Sequence, residues 1–88
     1  MQTFKLSRAM KTVLLDLLRQ ERARAGERVT WYNLPESTTQ TTRDELVACD
    51  LIRVVKQVHM REVSHCAVLT ETGRAVAQDI VIDLNGAG

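Results

Sequence analysis

The sequence is poor in aromatic residues and glycine. One Trp, one Tyr, one Phe and four glycines occur among 88 residues, of which 44% are hydrophobic. A core without aromatic bulk has to come from aliphatic side chains, which suits helices with a small sheet. The length allows one domain and leaves no room for a second. The few glycines leave little for a loop that cradles a nucleotide, and no repeat or low-complexity segment is visible.

An excess of one charge sign is also missing. Lys and Arg number 12 against 11 for Asp and Glu, which gives a net charge of +1. Proteins that bind nucleic acids commonly have a strongly basic balance, and this chain does not. Any affinity for DNA must therefore come from local clusters of cations.

Cysteines, metal-ligand motifs and long apolar runs are scarce. Cys49 and Cys66 lie in apolar patterns, and together with His59 and His65 they form no CxxC or HxxxH spacing. The sequence therefore predicts no metal site and two reduced, buried thiols. No apolar run approaches the roughly 18 residues that span a membrane, and no signal peptide is visible. We expect a cytoplasmic chain without a membrane partner.

Catalytic motifs are missing as well. The sequence has no paired-carboxylate motif, no glycine-rich phosphate loop, and no serine or cysteine elbow near a histidine. We therefore expect a binding module without a cofactor, and not an enzyme.

What the sequence does contain is a clear amphipathic helix near its start. Ser7 is a suitable N-cap, and Gly26 can adopt the left-handed conformation at the C-terminal end. The last turns are basic, which we interpret as compensation of the helix dipole in preference to DNA contact. The apolar residues repeat at three- and four-residue spacing: Leu6, Met10, Val13, Leu14, Leu17 and Leu18.

The middle of the chain predicts short elements. Residues 27–30 suit a very short strand, and residues 31–34 suit one helical turn that Thr30 caps and Pro35 ends. In so small a domain, Trp31 and the following Tyr32 are more often core plugs than base-stacking residues.

A second helix is predicted after a turn over residues 35–38. Thr38 or Thr39 would cap this helix, which would run to about Asp50. Its apolar side would contain Leu46, Val47 and Cys49.

Two alternating runs follow. Residues 52–58 and 63–69 alternate between apolar and other side chains, which predicts two antiparallel strands joined around residues 59–61. Thr70 then caps a helix whose apolar stripe contains Val76, Ile80 and Leu84, and residues 85–88 form a mobile tail.

Two strings in this order resemble the winged helix-turn-helix superfamily across about residues 7–82. Leu46–Ile52 is similar to the end of a recognition helix, with Asp50 in place of the usual glycine. Leu69–Arg74 matches a Leu-Thr-x-x-Gly-Arg string of regulators similar to the MarR and PadR groups. The chain departs from the family where Thr39 and Arg43 occupy positions that are usually apolar.

The resemblance implies a mainly α fold with a small antiparallel β-hairpin, in a single winged-helix domain over residues 1–84. It also implies that the start of the second helix enters the major groove and that the hairpin, or wing, lies along the DNA backbone or minor groove. The DNA-binding candidates are then Thr38, Thr39, Gln40, Thr41, Thr42 and Arg43 in the helix, and Arg53, Lys56, His59 and Arg61 in the wing.

Each part of this candidate site also has a structural interpretation. The threonines would serve as caps and local hydrogen-bonding residues, and the charged wing would protect an exposed strand edge. Asp44 and Glu45 follow directly and would repel phosphate if they faced the groove.

The sequence therefore predicts a small DNA-binding protein, a transcriptional regulator that binds double-stranded DNA as a homodimer. The dimer would form through the first helix or through the apolar stripe of the last. The alternative is an adaptor that uses the same fold to bind another protein, which the near-neutral charge favours.

Overall fold

The structure is a computed structural model that describes residues 6–26 and 31–86. In these two stretches the chain forms three helices and a three-stranded antiparallel sheet with strand order β1-β3-β2. The helices and the antiparallel hairpin are confirmed, but the fold is mixed α/β and not mainly α, because a third strand joins the sheet. The layout is compatible with a winged helix. The elements in chain order are α1 (Arg8–Ala23), β1 (Tyr32–Asn33), α2 (Gln40–Ala48), β2 (Ile52–His59), β3 (Glu62–Leu69) and α3 (Glu71–Gly86).

Helix α1 forms as its apolar spacing predicts. The side chain of Ser7 accepts a hydrogen bond from the Met10 backbone N–H at 3.2 Å, which confirms the N-cap. The helix ends at the C-cap Arg24, and Gly26 follows with a φ of 93°. The strand and the cap predicted within residues 27–30 lie outside the described residues. The buried side chains of α1 are Met10, Val13, Leu14, Leu17 and Leu18.

The helical turn predicted over residues 31–34 is wrong, because Tyr32–Asn33 is a strand. It pairs with β3 through Tyr32 opposite Ala67 and Asn33 opposite Cys66. A single helical turn makes few internal hydrogen bonds, whereas β3 offers a whole strand edge. Tyr32 is buried and joins the core, as the core-plug interpretation predicts, and Trp31 is half-buried.

The turn before α2 and its cap are confirmed. The Thr38 N–H donates to the Pro35 carbonyl at 2.9 Å, and the Thr39 side chain accepts from the Thr42 N–H at 3.2 Å. Residues 34–39 contain no helix, so a turn stands where a helix-turn-helix has its first helix.

Helix α2 ends at Ala48, earlier than the predicted Asp50. Asp50 has a φ of 57°. Its N–H donates to the carbonyl of Val47, and the Leu51 N–H donates to that of Leu46, each at 3.0 Å. These two bonds form a Schellman motif, in which the left-handed residue is usually glycine. The conformation explains why the resembling string has glycine where this chain has Asp50.

The hairpin of β2 and β3 confirms the two alternating runs. The strands pair from Ile52 opposite Leu69 to His59 opposite Glu62, and Met60 with Arg61 forms the turn. Ile52 and Leu69 are buried in the core, so this side of the sheet packs against the helices. The odd-numbered residues of β2 face the opposite side.

Each fixed position of the Leu-Thr-x-x-Gly-Arg string has a structural task. Leu69 is buried in the core, and the Thr70 hydroxyl caps α3 by accepting from the Gly73 N–H at 2.9 Å. A Cβ atom on Gly73 would lie 1.8 Å from the Leu51 carbonyl oxygen, so only glycine fits there. Arg74 forms an ion pair with Glu21 of α1 at 2.7 Å, and the hydrogen bond to Glu21 raises the pKa of Arg74. The string therefore fastens α3 to β2 and α1.

Helix α3 runs to Gly86, two residues into the segment predicted as a tail, and residues 87–88 lie outside the described part. In the stripe predicted along it, Val76 and Ile80 pack against the core, while the side chain of Leu84 lies outside the described residues. No helix in the described stretches is long and apolar enough to cross a membrane.

The core lies between the three helices and the inner side of the sheet, and α3 contributes to it from its middle turns. Its largest fully buried side chains are aliphatic, as the scarcity of aromatic residues requires: Leu14, Leu17, Leu46, Leu51 and Ile52. The two cysteines differ from the prediction in one respect. Cys66 is buried, but Cys49 is only half-buried at the C-cap of α2, and both are free thiols.

Candidate nucleic-acid interface

The first turn of α2 uses part of its hydroxyl set for its own structure. The Thr39 hydroxyl caps the helix and also lies 3.0 Å from the hydroxyl of Thr42, which is only 7% exposed. For these two residues the structural interpretation holds, because neither hydroxyl is directed freely at solvent. Gln40 and Thr41 are exposed and remain available to a partner.

Thr38 is the unusual hydroxyl of this segment. Its Oγ1 atom is shielded from solvent and has no hydrogen-bond partner. An unsatisfied buried hydroxyl is costly, so this atom is a local weak point unless a water or a partner reaches it.

The solvent-facing side of α2 is negatively charged. Asp44 and Glu45 are both exposed and follow Gln40 and Thr41 by one helical turn. Val47 beside them is 46% exposed, although its predicted position was on the apolar side. Only the N-terminal turn of α2 therefore suits phosphate, because the next turn presents two carboxylates.

A cleft of about 550 Å³ separates the start of α2 from β3. Arg43 lines it from α2, and Ser64 and His65 line it from β3. Leu34, Pro35 and Thr38 line it as well, together with the exposed carboxylate Glu36. We call this the α2–β3 cleft. It brings the one cation predicted in α2 to the side of the hairpin, where the imidazole of His65 lines the same space.

A second, smaller cleft of about 440 Å³ lies between the Pro35 turn and α1. Arg8 and Thr12 line it from α1, while Ser37 and Thr42 line it from the other side. Thr38 borders both clefts.

The predicted wing cations do not share one face of the hairpin. Lys56 is paired with His65, so its side chain leaves the sheet on the same side as His65, which lines the α2–β3 cleft. Arg53 is paired with Val68 and leaves the sheet on the opposite side. Arg61 is exposed at the turn, and the side chain of His59 lies outside the described part.

The sequence predicted Arg43, Lys56 and Arg61 as DNA-binding candidates, whereas His65 was considered only as a metal ligand. The structure places His65 directly opposite Lys56, and His65 lines the cleft with Arg43. The signal that could have indicated this is a two-residue turn at 60–61, because the turn fixes the register of the hairpin. The exposure of Val58, Met60 and Val63 around that turn was not predicted.

The outer side of the sheet contains the buried thiol of Cys66. Its sulfur lies 3.3 Å from Asn33 Oδ1 and 3.5 Å from Gln57 Oε1, and either oxygen can accept the thiol proton. His65 leaves the strand on the other side, as strand alternation requires. Within the described residues, no three His, Cys, Asp or Glu side chains are grouped as a metal site requires.

Comparison with known proteins assigns no family to this fold. No family model matches the chain, and no curated protein matches it either.

Proposed function

We propose that the protein binds double-stranded DNA through a winged-helix surface and acts as a transcriptional regulator. The surface consists of the first turn of α2, the α2–β3 cleft and the hairpin. The observation that carries the proposal is the cleft itself, in which Arg43 and His65 face the same space and Lys56 leaves the sheet on the same side. Arg43 in the cleft and Lys56 on the hairpin are cations that suit a phosphate backbone, and the imidazole of His65 can donate a hydrogen bond to it, whereas the carboxylate of Glu36 opposes it.

The charge distribution limits the strength and the form of this binding. The net charge of +1 supplies almost no long-range attraction. Asp44 and Glu45 also keep the later turns of α2 away from phosphates. The proposed contact is therefore local, with the hairpin contributing more electrostatic energy than the helix.

The salt dependence of DNA binding tests the proposal. Each of Lys56→Ala and Arg61→Ala should weaken binding to all duplex sequences and make the slope of log affinity against log salt shallower by about 1. Fluorescence anisotropy of a labelled random duplex, titrated at several salt concentrations, measures both quantities.

The matched control is Arg22→Ala, which removes an exposed cation from the last turn of α1, far along the chain from the proposed surface. Its slope should equal that of the unmodified protein. The proposal fails if no duplex binds at low salt, or if binding does not depend on salt.

A protein-binding adaptor is the second candidate, and the exposed side of α2 favours it. That side presents Asp44, Glu45 and the 46%-exposed Val47, a combination that suits a basic protein surface better than DNA. The double variant Asp44→Asn/Glu45→Gln separates the two functions. For a DNA-binding protein its affinity for duplex should rise or stay the same, because two repulsive charges are gone.

For an adaptor, the same variant should lose a partner that the unmodified protein recovers from nuclease-treated extract. Quantitative pull-down and the anisotropy titration are therefore run on the same preparations. A gain in duplex affinity without loss of any partner counts against the adaptor.

The proposed regulator acts as a homodimer. Val76 and Ile80 pack against the core of their own chain, whereas Ile82 is 64% exposed on α3. Sedimentation equilibrium of the free protein tests the dimer, and a single monomeric species at high concentration would contradict it.

A further inference from the structure

The tip of the hairpin carries an unusual concentration of exposed apolar side chains. Met60 is 89% exposed, Val58 is 64% exposed and Val63 is 52% exposed. Val58 and Val63 are directly paired, so they leave the sheet on the same side, next to the turn that contains Met60. We call these three residues the apolar tip. They are three of the five large hydrophobic residues that are exposed in the described part of the chain.

The backbone conformation at position 60 does not favour a methionine, so folding alone does not explain why this residue is there. Met60 has a φ of 58°, in the left-handed region that glycine and asparagine favour in two-residue hairpin turns. A long apolar residue is therefore placed where both the backbone and the solvent disfavour it. A residue at which both the backbone conformation and the solvent exposure are unfavourable is typically found at a functional site.

The surroundings of the apolar tip indicate what covers it. Lys56 precedes Val58 on the same side of the sheet, and Arg61 follows Met60 in the turn, while Glu62 is the one exposed carboxylate of the turn region 58–63. Three side chains on a narrow hairpin offer far less than the roughly 800 Å² that each partner contributes to a standard protein interface. A small apolar surface between two cations is complementary to a groove of DNA, which is bordered by phosphates.

The apolar tip is also continuous with the proposed DNA surface, because Val63 lines the α2–β3 cleft. We propose that Met60, flanked by Val58 and Val63, acts as a wedge against a base step in the minor groove of DNA. Lys56 and Arg61 would hold the neighbouring phosphates. Apolar wedges of this kind partly unstack a base step and kink the duplex. The inference rests on the proposed function and adds a contact with the bases that does not depend on salt.

The variant Met60→Gly tests the wedge without threatening the fold, because glycine suits the positive φ. Its affinity for duplex should fall about tenfold at every salt concentration, since an apolar contact is lost. Its salt slope should stay unchanged, because no cation is removed. Met60→Asn, which also tolerates positive φ, should behave in the same way.

A duplex with 2-aminopurine at successive steps gives an independent readout. The unmodified protein should raise the fluorescence at one step, as unstacking does, and Met60→Gly should not. Val47→Ala is the control, because it removes an exposed apolar side chain from the later part of α2, outside the proposed DNA surface. It should leave both affinity and fluorescence unchanged.

The outcomes separate the wedge from the proposed function. If the unmodified protein binds no duplex, both fail. If it binds with a steep salt slope and Met60→Gly binds equally well, the wedge is overturned and DNA binding stands. A self-association or a binding to anionic vesicles that Met60→Gly abolishes would also overturn the wedge, because the tip would then be occupied by a second copy or a lipid surface.

Discussion

At the scale of single residues, two positions show how local conformation selects side chains in this protein. Asp50 and Met60 both have positive φ, and neither is the glycine that such backbone prefers. Asp50 follows the C-cap of α2, where an aspartate tolerates the left-handed region better than most residues. Met60 lies in an exposed turn and does not contribute to the core. The same backbone feature is thus structural in one place and, in our proposal, functional in the other.

Replacing Asp50 by glycine should stabilise the protein. The gain should be up to about 1 kcal/mol, because glycine removes the strain of a positive φ in the Schellman motif and leaves both backbone hydrogen bonds intact. Urea denaturation followed by circular dichroism measures the change in the free energy of unfolding. Asp50→Ala serves as the counterpart and should be less stable than the unmodified protein. If the glycine variant is no more stable than the alanine variant, the conformational explanation is incorrect.

At the scale of elements, the junctions constrain the choice of side chain more tightly than the helices and strands that they join. Thr70 links β3 to α3 by accepting a hydrogen bond from the Gly73 N–H, and its own N–H donates to the Leu51 carbonyl at 3.1 Å. Gly73 lets α3 approach that same carbonyl. The end of α2, the start of β2 and the start of α3 therefore meet at one point, and Arg74 extends the junction to Glu21 of α1.

Gly73→Ala should destabilise this junction by about 3 kcal/mol, because the new methyl group would overlap backbone that cannot move without breaking the contact. Thermal and urea denaturation should both show the loss. Gly26→Ala is the matched comparison, since a Cβ there meets nothing within 4 Å and only the φ of 93° is unfavourable. That variant should cost about 1 kcal/mol. Equal losses in the two variants would show that conformation, and not close approach, decides the effect at Gly73.

At the scale of the whole molecule, the near-neutral net charge conceals an uneven surface. Carboxylates occupy the solvent side of α2, whereas Lys56 and Arg61 are exposed on the hairpin and Arg43 lines the α2–β3 cleft beside Glu36. The proposed binding to DNA would depend on the positions of these cations and not on total charge, which is why the salt slopes of Lys56→Ala and Arg61→Ala are more informative than affinity alone.

The elements that depend on local patterns could be predicted from the amino-acid sequence. Ser7, Thr39 and Thr70 are caps, the apolar spacing of α1 and the alternation of the hairpin are correct, and the Pro35 turn forms. These features follow from hydrogen bonds and side-chain periods within a few residues of one another.

The features that depend on residues far apart in the chain became visible in the folded structure and not in the sequence. Residues 32–33 became a strand because β3 supplies hydrogen-bond partners more than 30 positions later, which no local pattern contains. In the same way, His65 joins Arg43 at a cleft only because the sheet packs beside α2. Pairing and packing over such separations override weak local preference, because they satisfy buried backbone groups and bury side chains that short segments cannot.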